Sequence, residues 1–526
     1  MKRAAAGVLL AGALALSAGC TDYLNVNNNP NVPTTVAANL YLPPMEHWMA
    51  TSPQYDGLLI GLYNQEWAYA LGSSFASTYR YNFQRMGYLS GSDVSAQQWR
   101  DVYWNFGQNL TDMMTKARAE QRWDILGVGY VLRAWGWQTL TDLHGEIPVK
   151  EAYDPGRFAF DYDPQSYVYD QVHVLLDSAI IYLNRTDGAV DPTYLAQGDN
   201  IYKGDRTKWL KFAYGLYALS MNHYSNKSTY KPDSVIKLVD NSFQSGADDA
   251  LLTYTGIDPG LQDLNFLGQT RDNITWYRQA QFAVGLMDGS DFGVVDPRMT
   301  RILSPAADSG YYGLDINQPG FGALPPSKQP YNFWGYPGST HGHPGKYVFD
   351  DKAKEPIMTY AELQFIKAEA ALRKGDQATA KAAYTAGVSA SIDFVNARNQ
   401  DDGQWPTQIS SAEKSAFLAA ITPATLTLTD VMSQKYIALY GWGHNEIWMD
   451  LRRYHYTDKD PATGQQVFPN FSPPTNLYPD NGGKLVYRIR PRYNSEYVWN
   501  IPALQAIGGL APDYHTKEMW ITTSQP

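Results

Sequence analysis

The strongest constraint on the fold is a pair of amphipathic segments in the last third of the chain. In the first, spanning 359–373, four apolar residues recur at the spacing of one helical face: Ala361, Phe365, Ala368 and Leu372. Gly375 and Asp376 then supply a helix stop and a new N-cap. The second segment, 378–395, also has helical periodicity. Two such helices joined by a tight turn form an antiparallel hairpin, the unit of tetratricopeptide-like repeats.

Helical periodicity extends over much of the remaining chain. Further apolar stripes occupy eight segments: 35–51, 55–70, 96–119, 123–143, 164–185, 206–224, 232–244 and 427–453. No clean repeat of about 34 residues relates them, so any repeats are degenerate. Residues 246–356 are instead rich in Gly, Pro, Asp and aromatic residues, and loops of that length are usually functional.

These patterns predict a mainly α-helical protein with a single domain at 35–526. A scaffold of tetratricopeptide-like helical pairs covers about 35–245 and 357–453. It carries a large, irregular and loop-rich insertion at about 246–356, and the C-terminal part, 454–526, is predicted to be irregular.

The N-terminus has the pattern of a lipoprotein signal. Two basic residues precede an apolar stretch at 4–18, which is shorter than the ~20 residues that span a bilayer and therefore indicates a cleaved signal peptide at 1–19. Small residues stand directly before Cys20, as in a lipobox. Cys20 is the only cysteine, so no disulfide can form within the chain. We expect lipidation at Cys20 and a membrane anchor and spacer at 20–34.

Composition and motifs exclude several classes of protein. The formal charge is −10 and no basic run occurs, which argues against nucleic acid as a partner. The chain lacks a Gly-x-Ser-x-Gly elbow, a phosphate-binding loop and a His-Glu-x-x-His helix. His341 and His343 lack an identified third ligand, so neither a metal site nor a cofactor is predicted. Carboxylate pairs for glycoside hydrolysis remain open, because their separation is spatial.

Several motifs in order resemble the SusD/RagB family, specifically its SusD-like branch. They are Asn-Pro-Asn-Val-Pro-Thr at 29–34, Asp-Leu-His-Gly-Glu-Ile-Pro at 142–148, Lys-Trp-Leu-Lys-Phe-Ala at 208–213, the helix at 358–370, and the block at 434–453. Glu496 and Asn500 are similar to the terminal motif, although Tyr493 stands where the family has proline.

The resemblance implies a surface lipoprotein of the outer membrane that is not an enzyme. Such a protein captures glycan, or in some relatives peptide, and passes it to a SusC-like TonB-dependent transporter. The charged residues within the family motifs are interpreted as buried structural partners rather than as acids or bases: Glu146, Glu362, Glu369, Glu446, Arg452, Arg453 and Glu496.

Candidate ligand-binding residues are aromatic side chains outside regular apolar stripes. A sugar ring packs its C–H patches on an aromatic face, while neighbouring polar groups bond its hydroxyls. The resemblance implies a site between an early segment and the central insertion. The candidates from these two regions are Trp67, Tyr79, Arg80, Tyr81, Trp99, Trp276, Tyr277, Trp334 and Tyr336. Trp99 also fits a helix face. Oligosaccharide capture is the preferred function, and peptide capture and surface glycoside hydrolysis are the alternatives.

Overall fold

The computed structural model describes residues 36–70, 78–257, 263–340, 345–402 and 408–524. The predicted signal peptide, Cys20 and the spacer lie outside these ranges, as do His341 and His343. Among the described residues, no helix is both long and apolar enough to cross a membrane.

The predicted mainly helical fold is confirmed, and strands are few and short. The helices are α1 (Leu42–Tyr63), α2 (Tyr79–Gln84), α3 (Gln97–Arg100), α4 (Gly107–Ala119), α5 (Trp123–His144), α6 (Gln165–Leu183), α7 (Pro192–Ala196), α8 (Arg206–Asn222), α9 (Pro232–Asp240), α10 (Gln281–Gly285), α11 (Met299–Ile302), α12 (Tyr360–Lys374), α13 (Gln377–Arg398), α14 (Ser411–Ile421), α15 (Leu428–Leu439), α16 (His444–Arg453) and α17 (Ile501–Ala506). The strands are β1 (Trp67–Tyr69), β2 (Ala250–Leu252), β3 (Tyr277–Gln279) and β4 (Glu355–Met358).

The hairpin predicted from the sequence forms as α12 and α13. Thr359 begins α12 with a capping box, in which its hydroxyl accepts from the backbone of Glu362 while the Glu362 carboxylate accepts from the backbone of Thr359. Gly375 ends the helix in the left-handed conformation, with φ of 84°. Asp376 then caps α13 by accepting from the amide of Thr379. The two helices pack against each other, as α5 and α6 do in the N-terminal half.

Several helix boundaries differ from the sequence-based prediction. Helix α1 is continuous through Pro53, where the periodicity indicated a break. The segment predicted to be helical up to residue 70 turns into a strand, because Gln65 adopts a positive φ of 57° and ends the helical path. The helix predicted at 427–453 is divided into α15 and α16 at Gly441, whose φ is 85°.

Two small antiparallel sheets attach the insertion to the scaffold. Strands β2 and β4 pair at its two ends, so the chain leaves and re-enters the helical scaffold at one place. Strand β3, inside the insertion, pairs with β1, which directly follows α1. The insertion therefore lies against the first long helix, and both contribute to one hydrophobic core.

The charged residues of the family motifs are structural, as interpreted from the sequence. Six of the seven are buried, and Glu146 is partly buried in an ion pair with Arg488. Glu446, for example, binds Lys435 at 2.6 Å and contacts His223 at 2.9 Å. These carboxylates form ion pairs and hydrogen bonds with other parts of the protein.

Candidate functional site

Three of the predicted ligand residues are core residues in the structure. Trp67 is fully buried, and its ring centroid lies 4.9 Å from that of His444. Tyr277 and Trp334 are equally buried, and the Trp334 indole donates to the carbonyl of Leu267 at 3.1 Å. A ligand cannot stack on rings whose faces are covered, so these three residues stabilise the insertion rather than contact ligand. Trp99 is also almost fully buried, and it borders a separate cleft.

The remaining candidates keep part of their surface exposed. The Arg80 Nε donates to the Tyr277 hydroxyl at 2.9 Å, and its guanidinium lies 4.7 Å from the ring centroid of Tyr79. The structure thus brings α2 to the start of β3, where the side chain of Trp276 is 37% exposed. Tyr336 lies on a turn organised by Asn332.

A groove of 910 Å³ opens beside the β1–β3 sheet. Its volume is in the range of small-molecule sites. One wall is α10 with the residues up to 291, and the opposite wall is the segment 311–324. Gln65 and two residues of the C-terminal part, Asn470 and Ser472, complete it, and Gln65 is fixed by a 2.8 Å bond to the carbonyl of Ser472.

The second wall is attached to the sheet through a close backbone approach. Leu314 donates its amide to the carbonyl of Gln279 at 2.9 Å and accepts from the amide of Gln281 at 2.9 Å. A Cβ at Gly313 would lie 2.4 Å from the Cα of Gln281, so only glycine permits this contact. Gly313 therefore sets the position of the wall that carries Tyr311 and Tyr312.

The groove combines aromatic surface with open polar groups. Tyr311, Tyr312 and Phe321 are partly exposed along its second wall. The side-chain amides of Gln281 and Gln318 line the groove, are exposed, and hydrogen-bond to no other described residue. An exposed amide has two donors and an acceptor for ligand hydroxyl groups.

The first wall of the groove contributes carboxylates. Asp288 and Asp291 both line it, and Asp291 accepts a hydrogen bond from Asn470. Burial raises the pKa of Asp291 above its ordinary value, although the Asn470 bond acts in the opposite direction. Carboxylate and amide groups beside aromatic rings can bond the hydroxyls of a sugar while a ring face packs against it.

Hydrogen bonds connect the groove with the predicted residue Tyr81. Asn317, in the groove, accepts from the amide of Thr475 at 2.8 Å. The next residue, Asn476, approaches the Tyr81 hydroxyl at 3.4 Å and accepts at its carbonyl from Arg85 at 2.7 Å. Tyr81 of α2 is therefore linked to the groove residue Asn317 through Thr475 and Asn476.

The groove residues themselves were missed by the sequence-based prediction. Tyr311 and Tyr312 form a doublet between Gly310 and Gly313, outside any apolar stripe, and this was the one signal that could have indicated them. Gln281, Gln318 and Asn470 carry no such signal in the sequence. No cluster of three or more His, Cys, Asp or Glu side chains suited to a metal occurs in the part of the chain that is described.

The structure thus combines a mainly helical scaffold with a groove lined by aromatic and amide side chains. The family model described as SusD-like, starch-binding associating with outer membrane, matches residues 45–478. The chain therefore belongs to the SusD-like family, whose members are binding proteins rather than enzymes and are associated with the outer membrane.

Solved structures of the same fold come from several bacteria. A SusD/RagB family protein from Bacteroides thetaiotaomicron is 21% identical, with a TM-score of 0.68, and the match covers 94% of this chain and 100% of that one. A SusD homologue from Bacteroides fragilis is 18% identical, with a TM-score of 0.70 and coverage of 93% and 100%. A chitin-binding SusD homologue from Flavobacterium johnsoniae is 20% identical, with a TM-score of 0.68 and coverage of 93% and 99%. No curated protein matches the chain.

Proposed function

We propose that the protein captures a neutral oligosaccharide in the groove between α10 and the segment 311–324. The observation that carries the proposal is the set of open amides beside Tyr312 and Phe321 in a member of a glycan-binding family. Aromatic faces favour sugar rings, and Gln281 and Gln318 can each bond two hydroxyls. The adjoining Tyr79, Arg80, Tyr81 and Trp276 extend the surface for a longer chain.

The proposal includes attachment to the outer membrane and transfer of the ligand to a transporter. Support comes from the lipobox at Cys20 and from the family's association with the outer membrane. In this arrangement, the lipid on Cys20 holds the protein at the cell surface, next to a SusC-like TonB-dependent transporter that imports the captured glycan. The variant Cys20→Ser should be found in the soluble fraction instead of the membrane fraction. A variant that stays in the membrane fraction would contradict lipid anchoring at Cys20.

Isothermal calorimetry with the chain from Thr21 onward tests ligand capture. The titrants are malto-, chito- and xylo-oligosaccharides of six sugars, and a mixture of peptides as the competing class. Chito-oligosaccharides are included because a relative of the same fold binds chitin. Saturable binding of one glycan without cleavage products supports the proposal. Binding of peptides alone would show that the ligand is a peptide and not a glycan. Hydrolysis of the glycan would show that the protein is an enzyme.

A matched pair of tyrosine variants tests the position of the site. Tyr312 is partly exposed in the groove, with the Lys328 ammonium 5.3 Å from its ring centroid. Tyr167, on α6, is also partly exposed, with the Lys150 ammonium 4.2 Å from its ring centroid. We expect Tyr312→Ala to weaken glycan binding by about tenfold, a loss of about 1.4 kcal/mol, and Tyr167→Ala to leave it unchanged. Equal effects of the two variants would rule out the groove.

A further inference from the structure

A second cleft, of 590 Å³, lies on a different part of the scaffold. Its lining comes from the end of α3 and the following turn, from 148–160, and from 492–496, and it shares no residue with the groove. Asp101–Phe106, after α3, forms a π-helical turn rather than a regular helix. Such turns occur frequently at functional sites.

The cleft has an aromatic wall with one unusually exposed indole. Trp104 is 65% exposed, and the Arg100 guanidinium lies 4.5 Å from its ring centroid. Trp99 and Tyr103, whose ring centroids are 5.1 Å apart, support this wall from inside, and Phe160 also lines the cleft. A tryptophan is normally mostly buried, so an exposed indole beside a cleft is informative.

Two residues that line the cleft also carry buried polar atoms without partners. Arg492 Nε and Ser495 Oγ are buried, and neither has a hydrogen-bond partner among the described residues. The Glu496 carboxylate accepts hydrogen bonds from Tyr162 at 2.7 Å and from Asn500 at 2.8 Å. Both bonds end on Oε2, which leaves Oε1 available. Arg492, Ser495 and Glu496 therefore give the lining of the cleft a guanidinium, a hydroxyl and a carboxylate.

The charges of the cleft define the ligand class. The Glu496 carboxylate disfavours an anion, and the Arg100 and Arg492 guanidinium groups disfavour a cation. The polar residues of the lining offer a guanidinium, a hydroxyl and a carboxylate, which are groups that hydrogen-bond the hydroxyls of a neutral ligand. The aromatic wall provides a face for the C–H side of the same ring. We propose that this cleft is a second saccharide site, which binds one unit of a neutral sugar.

The second site would act independently of the groove. One polysaccharide chain that reaches both sites would be held by avidity, because the second binding event becomes intramolecular. The wild-type protein should then prefer a long chain to a short oligosaccharide of the same sugar. Trp104→Ala should reduce that preference while leaving the affinity for the short oligosaccharide in the groove unchanged.

Fluorine NMR of the purified protein labelled with 5-fluorotryptophan tests the cleft directly. Trp104→Phe and Trp499→Phe assign two signals, and Trp499 is the matched control because it is 74% exposed but does not line the cleft. Glucose, galactose, mannose, xylose and N-acetylglucosamine are titrated separately. We expect at least one of them to shift the Trp104 signal with saturation and to leave the Trp499 signal in place. Ser495→Ala should weaken that titration by about fivefold, because one hydrogen bond is lost.

Two results would overturn the second site. One is a Trp104 signal that none of the sugars shifts, or that moves no more than the Trp499 signal. The other is a titration that Ser495→Ala leaves unchanged, because the polar atoms of the cleft would then have no role. Neither result depends on the groove, whose failure would appear separately as unchanged glycan binding by Tyr312→Ala.

Discussion

The ion pair between Arg453 and Glu369 lies at the centre of the scaffold, between α16 and α12. The two guanidinium nitrogens of Arg453 donate to the two carboxylate oxygens of Glu369 at 2.8 and 2.9 Å, and both side chains are fully buried. Asn222 at 2.8 Å and Tyr454 at 2.7 Å also donate to the carboxylate. Burial alone would raise the pKa of Glu369, but the charge of Arg453 outweighs it and holds the pKa well below its ordinary value.

Removing the arginine should cost much of the stability of the fold. Arg453→Met keeps an unbranched apolar side chain but leaves a buried carboxylate without its main counter-charge. Breaking a buried pair in this way costs about 3–5 kcal/mol. The double variant Glu369→Gln/Arg453→Met removes the charge that would be left unpaired, so we expect it to be at least about 1 kcal/mol more stable than the single variant.

Urea unfolding at pH 7, followed by circular dichroism, measures these differences. The control is Lys414→Met, because Lys414 and Asp393 form an ion pair of 2.7 Å between side chains that are 21% and 65% exposed. An exposed pair of this kind contributes less than about 1 kcal/mol. The reasoning fails if Arg453→Met destabilises no more than Lys414→Met, or if the double variant is no more stable than Arg453→Met.

Three further predictions concern pH, the groove wall and a helix cap. Burial lowers the pKa of His223, but two neighbouring carboxylates outweigh it and raise the pKa to about 9. The protonated form therefore stabilises the fold fully below pH 6.5, and this stabilisation is lost as the pH rises to 9. We expect Tm to fall between pH 6.5 and 9, and to fall less in His223→Gln. Gly313→Ala should weaken glycan binding in calorimetry without loss of helix, because the new Cβ would meet the backbone of Gln281, whereas Gly246→Ala, whose Cβ would have no contact closer than 3.5 Å, should bind normally. Thr359→Ala should lower the free energy of unfolding by about 1 kcal/mol, and Thr359→Ser should restore it, because the capping hydroxyl returns.

The scaffold was largely predictable because its signals are local. The hairpin of α12 and α13 follows from an apolar stripe, a capping residue and a glycine in the left-handed conformation, all within 40 positions of one another. Where the prediction was wrong, tertiary packing overrides a local preference. Pro53 lacks the amide of a regular helical residue, yet α1 continues because its residues on both sides are buried against the rest of the protein.

The site was only partly predictable because the type of an aromatic residue does not determine whether its ring is buried. Trp67 lies in the early segment and Trp276 in the insertion, the two regions from which the candidates were chosen. Both carry the same indole side chain. The β1–β3 pairing buries the first and leaves the second partly exposed. An aromatic residue outside a stripe therefore indicates a region of interest, but strand pairing determines which rings keep an open face.

The groove shows why such a site needs the tertiary structure. Its residues come from four segments, at 65, 281–291, 311–324 and 470–472, which no periodicity relates. They meet because a few backbone bonds between distant segments fix them, such as that from Leu314 to Gln279. The amides Gln281 and Gln318 are ordinary exposed residues in the sequence, and only the close approach at Gly313 places them on opposite walls of one groove. Gly313→Ala should separate the two walls, and weaker binding is then expected even though the other lining side chains are unchanged. The expected loss is as large as that caused by removing a lining side chain, so Gly313→Ala tests the site as directly as Tyr312→Ala does.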